Sequence, residues 1–296
     1  MTETTHTGSW RTQDRPTYRQ LSRSWTKLKR NKAALFGGTL IVIYVFTALL
    51  APVLFPRNPS APNLIKALER PSLESPLGKD QMGRSILGRI IHGSRISLLI
   101  AIAVVSFGML FGIPLGLISG YYGGNVDFGI QRVTDTMLAF PGFLLALALV
   151  SVLGVGLKNT VISIGISMVP IYIRLVRGCA LSVREQVYVE AARAVGTRDI
   201  VILLRHILPN VMVPITVQTS LGMGTGILFA AGLGFLGVGV QPPTPEWGTM
   251  LGSGRVYLFN SPHVATFPGV AIFLAVLGFN LLGDGLRDAL DPRFKV

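Results

Sequence analysis

Long uncharged apolar runs alternate with short basic stretches along this chain of 296 residues. A helix needs about 20 apolar residues to cross a hydrocarbon core. Six stretches meet that requirement and predict helices over 33–55, 96–121, 136–157, 159–176, 213–238 and 264–283. Pro141 falls near the start of the third. The fourth is short, and reaches a spanning length only if it extends past Ile173 to Val176. The fifth lies inside a stretch, 207–245, that carries no charged residue. The first run begins only at residue 33 and is too long for the apolar core of a cleaved leader, so it reads as a retained first span.

Composition points the same way. Half the residues are hydrophobic and 14% are charged, against about 25% charged in soluble domains. The expected class is an all-α integral membrane protein. Its organisation is a tail (1–32), the first span (33–55), a polar segment (56–95), a core of five further spans (96–283) and a second tail (284–296). The net charge of +13 would point to nucleic acid in a soluble protein. Here the cations sit in the tails and between apolar runs, which is a topology signal. With six spans, 18 basic residues fall on the side of both termini and nine on the other. That asymmetry predicts cytoplasmic termini.

Chemistry-bearing residues are sparse. Cys179 is the only cysteine, and His6, His92, His206 and His263 are far apart. Neither a disulfide nor a metal site of Cys/His spacing is expected. The chain has no Gly-x4-Gly-Lys-Ser/Thr, His-Glu-x2-His or Gly-x-Ser-x-Gly. An intrinsic ATPase or hydrolase is therefore disfavoured. The near-absence of ionisable residues within the spans also argues against a secondary carrier or channel, the competing class of function.

The basic stretch 182–210 is the best punctuated. Ser182 and Glu185 have capping-box spacing and predict a helix start. The helix should run to about Val195 and end at Gly196, a residue suited to a left-handed terminus. Thr197 is placed to cap a second helix, and Pro209 should end or kink it near Leu208. A docking element and a plain interfacial amphipathic helix both fit this pattern. Two small-residue stripes recur at intervals of four: Gly108, Gly112, Gly116 and Gly120, then Gly222, Gly226, Ala230 and Gly234. Such faces let helix backbones approach closely. They suit packing within the chain, a seam against a second subunit or a pore lining. On the opposite side, 56–95 and 239–263 form two proline-rich segments, the second with a short helix expected from Trp247 to Val256.

Glu190-Ala191-Ala192, Gly196 and Ile207-Leu208-Pro209 resemble the EAA signature of ABC importer permeases. Four other regions are similar to the C-type permeases of the dipeptide/oligopeptide/nickel family. These are Ser75-Pro-Leu-Gly-Lys-Asp-Gln-Met-Gly-Arg, Gly120-Tyr-Tyr-Gly-Gly-Asn-Val-Asp, Phe235-Leu-Gly-Val-Gly-Val-Gln-Pro-Pro-Thr-Pro-Glu-Trp-Gly and Asn280-Leu-Leu-Gly-Asp-Gly-Leu-Arg-Asp-Ala-Leu-Asp-Pro-Arg. The resemblance covers about residues 25–296, and Pro242-Pro-Thr-Pro-Glu-Trp-Gly leans toward the glutathione-type branch. It implies a type I ABC importer permease fold in the bacterial inner membrane. It also implies a second homologous permease, two ATP-binding subunits that hold ATP and Mg, and an extracytoplasmic substrate-binding protein. The chain itself would carry no cofactor. Residues 182–210 would be the loop that docks on the ATPase. Gly78, Asp80, Gly83, Arg84, Pro242, Pro243, Glu246 and Trp247 would lie on outer loops facing the binding protein. Peptide, glutathione and nickel remain open as cargo. Many relatives carry Glu-Ala-x-Leu-Ser-Phe-Leu-Gly in the fifth span, where this chain has Ala230 and Gly234 in place of the Glu and Ser. That departure leaves contacts to a charged substrate at this point in doubt.

Overall fold

The computed structural model describes residues 28, 29 and 31–290. Most of the first tail and residues 291–296 lie outside the described residues, with them Arg293 and Lys295. Apart from one antiparallel bridge between Lys79 and Ser85, the regular structure described is helical.

The first helix, α1 (Lys32–Leu54), begins where the Asn31 side chain accepts from the Ala34 N–H at 3.1 Å. After a short 3-10 turn at Leu64–Lys66 comes α2 (Ile86–Tyr122), 37 residues and so about 55 Å long. Its start is ten residues earlier than the apolar pattern predicts. Arg89, His92 and Arg95 interrupt that pattern, but the Ser85 hydroxyl caps the helix by accepting from Gly88 N–H at 3.3 Å. The chain then turns at Gly123, whose φ of +67° suits glycine.

The predicted third span is not one helix. It is a pair, α3 (Gly124–Leu138) and α4 (Gly142–Leu153), bent by 88° at residues 139–141. Pro141 has no N–H to continue α3 and stands as the residue before α4. Next come α5 (Leu157–Arg184) and α6 (Val187–Ala194). The short α7 (Asp199–Ile202) leads through a π-helical turn, Leu203–Ile207, into α8 (Leu208–Phe235). The short α9 (Trp247–Gly254) continues as a 3-10 turn at Arg255–Tyr257, and α10 (His263–Leu290) closes the fold. Among the described residues five helices are long and apolar enough to cross a membrane, and the bent pair counts as a sixth crossing when its two arms are taken as one span.

That sixth crossing follows from packing. Gly108 meets Met168 and Tyr172, Gly116 meets Val176, and Gly120 meets Ala180. Residue numbers rise together, so α2 and α5 run parallel. The chain must therefore return across the bundle between 122 and 157, and α3–α4 is that return. At 12 residues α4 covers about 18 Å, short of a hydrocarbon core of about 30 Å.

Both small-residue stripes are used inside this chain. A Cβ on Gly112 would lie 2.5 Å from Tyr172 Cβ and 2.9 Å from the Val169 carbonyl oxygen. Gly222 sits beneath the Tyr172 hydroxyl, and Gly226 faces Ala101 and Val104. Ala230 is buried with Val104, Val150 and Leu233, and Gly234 lies under α9. All eight residues are buried. They are therefore not a seam open to a second subunit, nor a pore lining, because their faces are already filled.

A methyl group at position 112 must separate the two backbones. Gly112→Ala is expected to cost about 1–3 kcal/mol, read as a lower thermal midpoint in detergent. Gly129→Ala, where a Cβ meets nothing within 4 Å, should be neutral or raise stability by up to about 1 kcal/mol through helix propensity.

Candidate functional site

The segment 182–210 lies at the end of the molecule where α2 finishes. Ser182 is not a helix start: it is inside α5, where its hydroxyl donates to the Gly178 carbonyl at 3.3 Å. Glu185 follows α5 as its cap residue, with its carboxylate 2.8 Å from Arg184 Nε. The expected capping box is thus absent, because α5 continues through Val183 and Arg184 and leaves Ser182 with helical neighbours on both sides. α6 instead starts after Gln186, with no side-chain cap.

Its far end follows the sequence closely. Gly196 has φ +79°. Gly196 N–H donates to the Arg193 carbonyl and Thr197 N–H to the Ala192 carbonyl, each at 3.0 Å, the paired bonds of a Schellman terminus. Thr197 does not cap the next helix. Arg198 precedes α7, which has no side-chain cap. Pro209 does not end the helix either. Just before it the ladder widens into the π turn, Leu208 N–H reaching back to the Leu203 carbonyl, and the helix continues as α8. Ile207 is fully buried, Leu208 half-buried and Pro209 exposed.

One residue roots α6 in the bundle: Val189 is fully buried among Tyr121, Val176, Ile202 and Ile207. Polar ties hold its flanks. Tyr121, one residue from the end of α2, donates to Asp199 Oδ1 at 2.6 Å, and Arg193 lies over the same ring at 5.3 Å. Arg184 Nη1 donates to the Gly120 carbonyl at 3.0 Å, satisfying an otherwise free carbonyl at the end of α2. Nearby, Arg177 Nε and Nη2 form a bidentate pair with Asp127 of α3, whose Oδ1 also accepts from Ser119. Asn210 Nδ2 donates to the Tyr188 hydroxyl at 3.2 Å. These anchors were invisible to motif reading. Asp127, Arg177 and Asp199 are charged residues at the edges of apolar runs, which is their only signal.

The opposite face of the segment is bare. Val187, Val195, Ile200 and Leu204 are exposed, as are Ala191 and Glu190, whose carboxylate has no hydrogen bond or ion pair among the described residues. Ala192 is half-buried. The result is a knob with an apolar exposed face, one carboxylate and a basic surround of Arg193, Arg198 and Arg205. Clustered exposed apolar residues with a polar rim mark an interaction surface. There is no nucleophile–base pair here. No group of His, Cys, Asp and Glu able to hold a metal occurs among the described residues.

At the other end, most residues expected to face outward are internal. Asp80 is buried and accepts from Met82 N–H at 2.9 Å, Arg84 N–H at 3.0 Å and Arg84 Nε at 2.7 Å. Arg89 Nε lies 3.6 Å from the same carboxylate. Gly78 and Gly83 make this turn at φ +76° and +70°, and a Cβ on Gly83 would overlap the Asn63 backbone. Trp247 is fully buried, packed edge-on against Tyr44 with ring centroids 5.2 Å apart and its Nε1 donating to the Ile90 carbonyl at 3.1 Å. Glu246 caps α9, accepting from Gly248 N–H and Thr249 N–H at 2.8 Å. Only Pro242 and Pro243 of the eight are exposed; the Pro243 carbonyl accepts from Ser60 and Arg89. Each carboxylate completes its own backbone turn, and the two segments meet where Ser60 and Arg89 donate to the Pro243 carbonyl and Trp247 donates to the Ile90 carbonyl. Gly234 matters in the same way: a Cβ there would stand 2.7 Å from Thr249 N and 2.9 Å from Glu246 Oε2.

Burial pushes the Glu246 carboxyl above the ordinary carboxylate range, partly opposed by its N–H and hydroxyl donors. An acid with a raised folded-state value holds its proton more tightly when folded, so its contribution to stability declines as pH rises through that value. The thermal midpoint of Glu246→Gln should lack this part of the pH dependence, seen as a smaller fall from acid to neutral pH than in the unsubstituted protein. Tyr121→Phe should speed amide hydrogen exchange across 187–202 by about tenfold, corresponding to about 1.4 kcal/mol from a bond to a charged acceptor, and leave α10 unchanged.

Residues 112–296 match the family described as binding-protein-dependent transport system inner membrane component. Residues 19–72 match the N-terminal TM domain of oligopeptide transport permease C. A dipeptide transport system permease protein, DppC, of Alkalihalophilus pseudofirmus is 47% identical over 272 residues, covering 92% of this chain and 90% of that protein. A glutathione transport system permease protein, GsiD, of Pectobacterium atrosepticum is 46% identical over 274 residues, covering 92% and 90%. A di/tripeptide transport system permease protein, DppC, of Pseudomonas aeruginosa is 46% identical over 281 residues, covering 93% of each. Two structures of the MetNI methionine ABC transporter in inward-facing conformations share the fold. Their TM-scores are 0.54 and 0.56 at 16% and 17% identity, covering 68% and 69% of this chain and 96% and 97% of theirs.

Proposed function

The chain belongs to the family of inner membrane components of binding-protein-dependent transport systems, and from that membership we propose that it is one of two permease subunits of an ATP-driven importer of short peptides. The cargo class rests on the dipeptide, di/tripeptide and glutathione permeases that are 46–47% identical over nearly the whole chain. In this reading a second homologous permease completes the translocation path. Two ATP-binding subunits hold ATP and Mg in the cytoplasm, and a substrate-binding protein delivers cargo from outside. Both termini lie in the cytoplasm with the 182–210 segment, as the excess of basic residues on that side supports.

One observation carries the coupling role. α6 is a short helix rooted by Val189 and flanked by ties, Arg184 to Gly120 before it and Tyr121 to Asp199 after it, yet it leaves Val187, Glu190, Ala191 and Val195 uncovered. A helix so held moves as a rigid piece. A subunit that grips its bare face and changes shape on binding ATP pulls on α2 through Tyr121, on α5 through the Arg184–Gln186 link and on α8 through the continuous π turn. Three bundle helices then move together, which is what alternating access requires. Glu190 supplies the charged contact and Ala191 and Ala192 the low profile that admits close seating.

The purified chain alone should hydrolyse no ATP above background, whereas the complex with its ATPase subunits should import peptide into vesicles. Gly196→Pro demands φ near −65° where the chain has +79°, and Glu190→Arg inverts the exposed charge. Each is expected to lower ATP-dependent peptide uptake at least tenfold while the protein remains in the membrane. Uptake unchanged in both variants would overturn the coupling role; uptake of a non-peptide solute by the intact complex would overturn only the cargo.

A further inference from the structure

On the face of the molecule away from α5 and α8, α1 and α2 enclose a groove of about 430 Å³. From α1 it takes Val45, Ala48 and Leu49, positions separated by three and four and so on one helix face. From α2 it takes Arg95, Leu98, Leu99, Ile102 and Ala103, a second single face. Leu98 is the buried floor, while Val45, Leu49, Leu99 and Ile102 stand up as exposed walls. Ala48 and Ala103, the smallest side chains in the lining, leave the width. Everything in the lining is aliphatic except Arg95.

Arg95 is exposed and makes no hydrogen bond or ion pair among the described residues. Its depth is set by sequence: Ile96 to Tyr122 contains no charged residue, so Arg95 is the first charge at that edge of the apolar belt. A free guanidinium at the rim of a hydrocarbon-lined groove presents complementary chemistry to one kind of molecule. We propose that the α1–α2 groove binds a single anionic phospholipid of the outer leaflet, with one acyl chain lying between Val45–Leu49 and Leu98–Ala103 and the headgroup phosphate on Arg95. The two halves of the site reinforce each other. The guanidinium selects charge, and the groove holds a chain longer than a free phosphate or a soluble anion possesses. No carboxylate lines the groove, so the cation is not neutralised and a net-negative headgroup is favoured over a zwitterionic one.

The test uses the protein purified in mild detergent with the subunits it assembles with, and native mass spectrometry to count bound lipid. Phosphatidylglycerol should bind about fivefold more tightly than phosphatidylcholine, the scale of one cation near an anionic lipid. Arg95→Gln should remove that preference. Ala48→Leu, which narrows the groove and keeps the charge, should reduce binding of both lipids. Free glycerol phosphate should not compete. Three results would overturn the proposal: an undiminished preference in Arg95→Gln, competition by glycerol phosphate as strong as by lipid, or cross-linking of a Leu99→Cys variant to another polypeptide in the assembled complex.

Discussion

The close approach of α2 to α5 is the contact on which the other placements rest. A helix in hydrocarbon has its backbone bonds satisfied internally and gains little from hiding apolar surface, so association depends on close van der Waals packing. Four glycines on α2 admit the backbone and the Tyr172 ring of α5 at contact distances that no side chain would permit. Because that packing is parallel, the intervening chain must cross back, and the bent α3–α4 pair is the consequence. Because α2 is about 55 Å long, it also reaches beyond the apolar belt at both ends and carries the parts that work there.

Those two ends are built on different physics. At the start of α2, charge is taken inside. Asp80 is surrounded by backbone N–H groups and two arginines, Glu246 caps α9, and Trp247 is sealed against Tyr44 and Ile90. Buried charged groups are costly to desolvate even with partners, and removing one partner strands the other, so the cluster resists rearrangement. At the finish of α2 a single apolar root, Val189, and a few polar ties hold α6 while its outer face stays bare. A rigid cap at one end and a bare, tethered helix at the other are what the proposed coupling role asks for.

The tethered helix is also economical in what it asks of the chain. Neither α6 nor α7 is long enough to be stable alone in water. They persist because Val189 and Ile202 are buried under α2, α5 and the π turn. The π turn keeps the chain helical from Asp199 into α8 despite Pro209, so that displacement of α7 passes along α8 instead of being absorbed in a loop.

The sequence by itself determined the class, five of the membrane-length helices and the place of the exposed segment, because each depends on local pattern: length of apolar runs, position of charge, and a glycine where φ must be positive. The end of α6 was legible in Gly196 for the same reason. What the sequence misplaced depends on partners distant along the chain. Ser182 and Glu185 have the spacing of a cap, yet α5 runs past Ser182. Asp80, Arg84, Glu246 and Trp247 read as exposed loop residues, yet the outer segments fold onto each other and bury them. The glycine stripes announced close packing but could not name the partner, since spacing records which residues share a face and not what covers it. Only the tertiary structure decided that the cover is α5, Val104 and α9 of the same chain, because a helix face is blind to sequence distance and is filled by whichever surface fits.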